Sequence, residues 1–256
     1  MINEEEKLPF TSHLDELRTR LIRVFIAVGV GFVIAFGFKE YLFDILVHPL
    51  VNVMKEGETL IYTGLPEAFF TYLKVAFLTG LMVASPLILY QFWMFVAPGL
   101  YKNERRMMMP IVLLSSFFFI GGALFGYFVV FPWGFKFFLG FATETIRPLP
   151  SMKEYFGFSA KLLLAFGLVF ELPLVLTFMA KLGIVSVDFL KKNRKYAVLL
   201  FFAGAAILTP PDVITQVLMA LPLMVLYEVS IIGAKIFGKK KPKEDTETKE
   251  TEESKA

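Results

Sequence analysis

Residues 69–96 read FFTYLKVAFLTGLMVASPLILYQFWMFV, a run of apolar positions interrupted by one charged side chain, Lys74. A transmembrane barrel would show segments of roughly ten residues with alternating polarity, whereas this run is continuous, so it is read as a helix that crosses a bilayer. The rest of the chain follows the same plan. Of 256 residues, 56% are hydrophobic and thirty are Phe, well above the balance of a soluble domain. Charged residues are bunched between the apolar runs, as they must be where burial in lipid is costly.

The pattern gives an all-α membrane protein with six spans. The first is about 21–38, LIRVFIAVGVGFVIAFGF, and the second is the run quoted above, with Pro86 as a kink. The third is about 107–131, ending at Phe131-Pro132, and the fourth about 155–180. The fifth, YAVLLFFAGAAILT, holds fourteen residues between Lys195 and Pro210, and the sixth runs from Val213 to about Ala234. Pro210 and Pro211 cannot donate helical hydrogen bonds and force the fifth and sixth spans into a tight hairpin. The fifth span measures about 21 Å against a hydrocarbon layer of about 30 Å, so neighbouring helices shield it or the membrane thins around it. The loop 39–68 contains Pro49 and Pro66 and is long enough for helical structure of its own.

Lys and Arg in connecting segments set the orientation. Nineteen lie in 1–23, 97–106, 181–195 and the end from Lys235, against five in the alternate set of segments. Both termini are therefore expected in the cytoplasm. Residues 1–238 form one membrane domain, and 239–256, KKKPKEDTETKETEESKA, have no large apolar residue and read as a disordered charged tail. The acidic start MINEEEKLPF lacks the basic region of a secretory signal, so the first apolar run is expected to be retained. Cysteine is absent, which excludes disulfides and thiolate chemistry.

Against this background a few polar residues need a reason. Glu171, in AFGLVFELPLVL, lies near the middle of the fourth span, where ionisation is expensive, and Pro173 bends the same segment. Lys161 stands ten residues away, about 15 Å along the axis, too far to pair with it. Either a Thr on a neighbouring helix or a functional role would account for Glu171. Asp212 and Gln216 lie one turn apart at the start of the sixth span; Asp212 can cap the helix, and Gln216 needs a hydrogen-bond partner on another helix. On the cytoplasmic side, TSHLDELRTRL at 11–21 and LYKNERR at 100–106 place Asp15, Glu16 and Glu104 inside otherwise basic collars. Such carboxylates, held by aromatic residues such as Phe92, Trp93 and Phe95, are suited to receiving guanidinium groups through paired hydrogen bonds.

Catalytic patterns are missing. With His13 and His48 the only histidines, there is no HExxH pair, and no GxSxG elbow, P-loop or dinucleotide fingerprint occurs. An enzyme is not expected. A small proton-coupled secondary transporter with Glu171 as its carboxylate is the main rival, although such proteins usually show internal repeats and none is visible here. A structural scaffold is a further alternative.

Six stretches together carry a resemblance: HLDELRTRL at 13–21, HPL at 48–50, SPLILYQFWMFVAPGLYKNERR at 85–106, GYFVVFP at 126–132, AFGLVFELP at 165–173 and LTPPDVITQVLMALPL at 208–223. In this order the chain resembles the TatC family, the polytopic core of the twin-arginine protein translocase, over all but its tail. The resemblance implies a receptor in the bacterial or archaeal cytoplasmic membrane that binds twin-arginine signal peptides of folded cargo. Export would then use the proton motive force. By the same resemblance, Glu16 and Glu104 are the acidic contacts, with Leu17, Arg18 and Phe95 in the same patch. Asp15 stands where many relatives have an uncharged residue, which leaves the pairing of acids and arginines open. Single-span partners of the TatA and TatB type would dock on the fifth and sixth helices, with Thr209 and Gln216 as candidate contacts, and Glu171 would be the family's intramembrane acid. Pro49, Pro86, Pro173, Pro210, Pro211 and Asp212 are assigned structural roles. Further copies of the chain and the lipid bilayer complete the expected partners; no cofactor, metal or nucleic acid is implied.

Overall fold

In the computed structural model, which describes residues 10–55, 57–96, 108–143, 145, 147–208 and 213–238, the apolar runs are helices. In chain order these are α1 (Phe10–Gly37), α2 (Lys39–Val51), α3 (Glu67–Val96), α4 (Met108–Phe125), a π-helical turn (Gly126–Val130), α5 (Phe131–Leu139), α6 (Met152–Phe170), α7 (Leu172–Leu182), α8 (Val187–Lys192), α9 (Arg194–Leu208) and α10 (Val213–Phe237). Five segments are long and apolar enough to cross a membrane: His13–Gly37, Glu67–Val96, Met109–Leu139, Met152–Leu182 and Val213–Phe237. The fifth expected span is α9, whose 15 residues reach only about 22 Å.

The helices pack mostly against neighbours. Helix α1 lies on α3, α3 on α4, α4 on α6, α7 on α10, and α10 on α9, while α2 leans on α3. The α1–α3 crossing depends on two glycines. A Cβ on Gly80 would sit 2.5 Å from the backbone nitrogen of Phe32, and one on Gly31 would sit 2.8 Å from the Gly80 carbonyl oxygen, so neither position admits a side chain without moving backbone. The core lies around Phe166, Phe131, Leu162 and Val75, sealed by aromatic contacts among Phe125, Phe166 and Phe170. Outside it, large apolar side chains such as Phe25, Val33, Phe117, Leu199 and Ile207 are exposed, which suits a surface bathed in lipid.

Two ends of the bundle can be distinguished. At the proximal end His13, near the start of α1, stacks on Phe95, near the end of α3; Trp93 packs on Phe178 of α7, and Gly238, just past α10, lies against Ala180. At the distal end the start of α3 meets the start of α6, where Glu67 accepts hydrogen bonds from Ser151 Oγ and the Lys153 N–H.

Prolines are accommodated by specific partners. Pro49 lies inside α2, the helix formed within loop 39–68, and its ring leaves the Ile45 carbonyl without the usual N–H; the Tyr127 hydroxyl donates to that oxygen. Pro86 lies inside α3, which runs on through it, and the Ser85 hydroxyl donates to the carbonyl of Met82, four residues before the proline, at 2.7 Å. Pro173 follows a break at Glu171, whose N–H turns back to Leu168, so the fourth expected span is two helices, α6 and α7.

The third span differs from expectation. It does not end at Phe131-Pro132 but continues as α5 to Leu139. The π turn explains this: the Phe131 N–H reaches back to Gly126, and the widened turn makes room where the Pro132 ring would otherwise press on the carbonyl of residue 128. Pro210, Pro211 and Asp212, like the tail from 239 onward, lie outside the described residues.

Candidate functional site

Helix α1 begins well before its apolar stretch, so HLDELRTRL at 13–21 is helical and its side chains are sorted by turn. His13, Glu16 and Arg20 fall at i, i+3 and i+7, one stripe directed at α3. Glu16 stands four residues before Arg20, the favourable order for such a pair, and its Oε1 accepts from Arg20 Nε at 2.9 Å and from Arg20 Nη2 at 2.5 Å. The remaining guanidinium nitrogen, Nη1, donates to Oε1 of Gln91 on α3 at 3.1 Å. Glu16 Oε2 has His13 Nδ1 at 3.9 Å, too long for a hydrogen bond. The His13 ring stacks on Phe95, centroids 4.4 Å apart and planes 19° from parallel.

Two of the expected site residues, Glu16 and Phe95, are thus brought to one patch by His13. Leu17, Arg18 and Asp15 are exposed beside it on the same turns of α1. Glu104 lies outside the described residues. Sequence reasoning missed the part played by His13 and by Gln91. Gln91 could have been found by the rule applied to Gln216: an amide inside an apolar helix needs a partner, and here the partner is an arginine.

Glu171 sits at the break between α6 and α7, only 8% exposed. Its Oε2 accepts from the Ser115 hydroxyl of α4 at 2.7 Å, and Ser115 in turn accepts from Trp93 Nε1 of α3 at 3.0 Å. A chain of hydrogen bonds therefore ties three helices at that depth, while Oε1 of Glu171 is buried with no hydrogen-bond partner among the described residues. The partner is a serine on α4 where a threonine was expected, and Lys161 has no part in it. Gln216 finds its partner within the chain, donating from Nε2 to the Phe202 carbonyl of α9 at 2.9 Å and so fastening α9 to α10. Thr209 lies outside the described residues.

Chemically, the proximal patch offers a half-used carboxylate beside an imidazole and an aromatic ring. That set can accept hydrogen bonds from a planar cation and stack against it. Among the described residues no cluster of three or more His, Asp or Glu could hold a metal ion.

Comparison with known proteins gives consistent matches. Residues 12–222 match the family model described as Sec-independent protein translocase protein (TatC). A TatC protein of Desulforapulum autotrophicum is 67% identical over 250 residues, covering 98% of this chain and 93% of the relative. One from Escherichia coli is 37% identical over 255 residues, with 97% and 99% covered. A crystal structure of the twin arginine translocase receptor TatC superimposes with a TM-score of 0.79 at 44% identity, covering 88% of this chain and 98% of that one.

Proposed function

This chain belongs to the TatC family of Sec-independent protein translocase proteins, and on that premise we propose that its proximal patch receives the twin-arginine signal peptides of folded cargo. As a translocase component it is a multi-pass membrane protein and not an enzyme, and the family sets aside the small-solute transporter weighed above.

The observation that carries the reading is the convergence of Glu16 and Phe95. They come from helices far apart in sequence, and His13 and Arg20 join them at one end of the bundle. The excess of Lys and Arg in the segments at this end supports a cytoplasmic placement with both termini inside, and so does the gathering of the start of α1 and the end of α10 there. A signal-peptide guanidinium would donate to the free oxygen of Glu16, with Glu104 as the second acid and Leu17, Arg18 and Phe95 around it.

Six spans result when the short α9 is counted, since α10 covers one of its sides. The lack of length in α9, with Leu199, Leu200 and Ile207 exposed on it, suits docking of TatA- and TatB-type single-span subunits there. Thr209 and Gln216 would border that surface, and Glu171, whose free oxygen is buried, would meet an assembling subunit only where the helices around it part. Export driven by the proton motive force completes the proposal.

A twin-arginine peptide with a photoreactive group should crosslink to the native receptor and fail to crosslink to Glu104→Lys. Undiminished crosslinking to that variant would remove Glu104 from the site.

A further inference from the structure

The acid proposed to read an incoming guanidinium already holds one from its own helix. We propose that Arg20, tied to α3 by Gln91, is a positioning residue that fixes Glu16 for the ligand; this rests on the reading of Glu16 as a signal-peptide contact.

The geometry separates positioning from occupation. A guanidinium standing in for the ligand would take both carboxylate oxygens in a two-pronged contact. Arg20 instead sends Nε and Nη2 to the same oxygen, Oε1, and leaves Oε2 without a hydrogen bond. Its third nitrogen is engaged by Gln91, a buried residue with little freedom to follow a departing arginine. Arg20 itself keeps only 15% of its side-chain surface, against 29% for Glu16. The guanidinium is therefore built into the α1–α3 contact, and the carboxylate in front of it is the accessible partner.

Two consequences follow from this arrangement. One rotamer of Glu16 is selected before the ligand arrives, which lowers the ordering cost of binding. The position of Glu16 relative to Phe95 also becomes a property of both helices, because Gln91 lies one turn from Phe95 on α3.

Arg20→Lys keeps the charge but cannot make the planar three-way contact, and Gln91→Leu removes the tether while suiting an apolar helix. Affinity of a fluorescent twin-arginine peptide for the full receptor in lipid nanodiscs would be measured for both variants, for Glu16→Gln, and for each pairwise combination with Glu16→Gln. Arg20→Lys and Gln91→Leu are each expected to weaken binding about tenfold, the loss typical of one misaligned charge-assisted hydrogen bond. In the Glu16→Gln background neither should cause a further loss, since both act through Glu16. Unchanged or tighter binding by both single variants overturns the inference, as does an undiminished loss in the Glu16→Gln background, which a purely structural role would give. Should Glu16→Gln alone leave affinity untouched, the reading of the site falls and takes the inference with it. A loss with Glu16→Gln but none with the other two overturns only the positioning role.

Discussion

Glu67 and Glu16 are the same residue at opposite ends of one bundle, and they are used in opposite ways. At the distal end both oxygens of Glu67 are engaged: Oε2 accepts from the N–H and hydroxyl of Thr63 and the N–H of Gly64, and Oε1 from Ser151 Oγ and the Lys153 N–H. Beside it a short parallel bridge joins Ile61 to Ser151, and the hydroxyls of Tyr127 and Tyr155 hold the carbonyls of Ile45 and Leu46. At the proximal end Glu16 spends one oxygen and keeps the other. A carboxylate with every lone pair directed at its own chain is a fastening; one left half-used is available to a partner. The distal end is fastened within the chain, and the proximal end keeps a carboxylate oxygen without a hydrogen bond.

The contrast can be broken most severely at the α1–α3 crossing. Gly80→Val puts side-chain atoms where the backbone of Phe32 lies, and about 3 kcal/mol of stability or more should be lost. Thermal unfolding in detergent would show it as a large fall in Tm, accompanied by loss of peptide binding because Glu16 and Gln91 separate. A smaller effect is expected at the distal end from Tyr127→Phe, which leaves the Ile45 carbonyl without a donor and should cost about 1 kcal/mol. Pro49→Ala restores a backbone N–H four residues on, so Tyr127→Phe should cost less in that background; an unchanged cost in a double-mutant cycle would separate Tyr127 from Pro49. The smallest effect is expected from Arg194→Ala at the proximal end. Its 2.7 Å pair with Glu228 is half exposed on both sides, so denaturant unfolding should shift by less than about 1 kcal/mol. Together these outcomes would make the distal hydrogen bonds matter to folding more than this proximal surface charge does.

The five long spans were legible in the sequence because lipid demands continuous apolar runs, and the bend at Glu171-Pro173 was legible because proline removes a donor. The end of the third span was not. Whether Pro132 stops a helix depends on the turn before it, and a π turn at Gly126–Val130 has no apolar signature that distinguishes it from ordinary helix. That Glu16 and Phe95 share one patch was legible through their motif, and the need of Gln216 for a partner was legible through its cost in an apolar segment. The Arg20–Gln91 link could not be read from spacing alone, because it is set by how closely Gly31 lets α1 approach α3. Ser115 was equally hidden, being one hydroxyl in an apolar helix until Trp93 and Glu171 are seen on either side of it.

The central claim is that the half-used carboxylate of Glu16 reads a planar cation. Its most direct test is the affinity of the full receptor for a signal peptide bearing Arg-Arg against the same peptide bearing Lys-Lys, in the native chain and in Glu16→Gln. The native receptor should prefer Arg-Arg by at least about tenfold, since ammonium groups cannot reproduce a planar contact, and the preference should collapse in the variant. Equal affinity for the two peptides, or a preference that survives Glu16→Gln intact, would contradict the account.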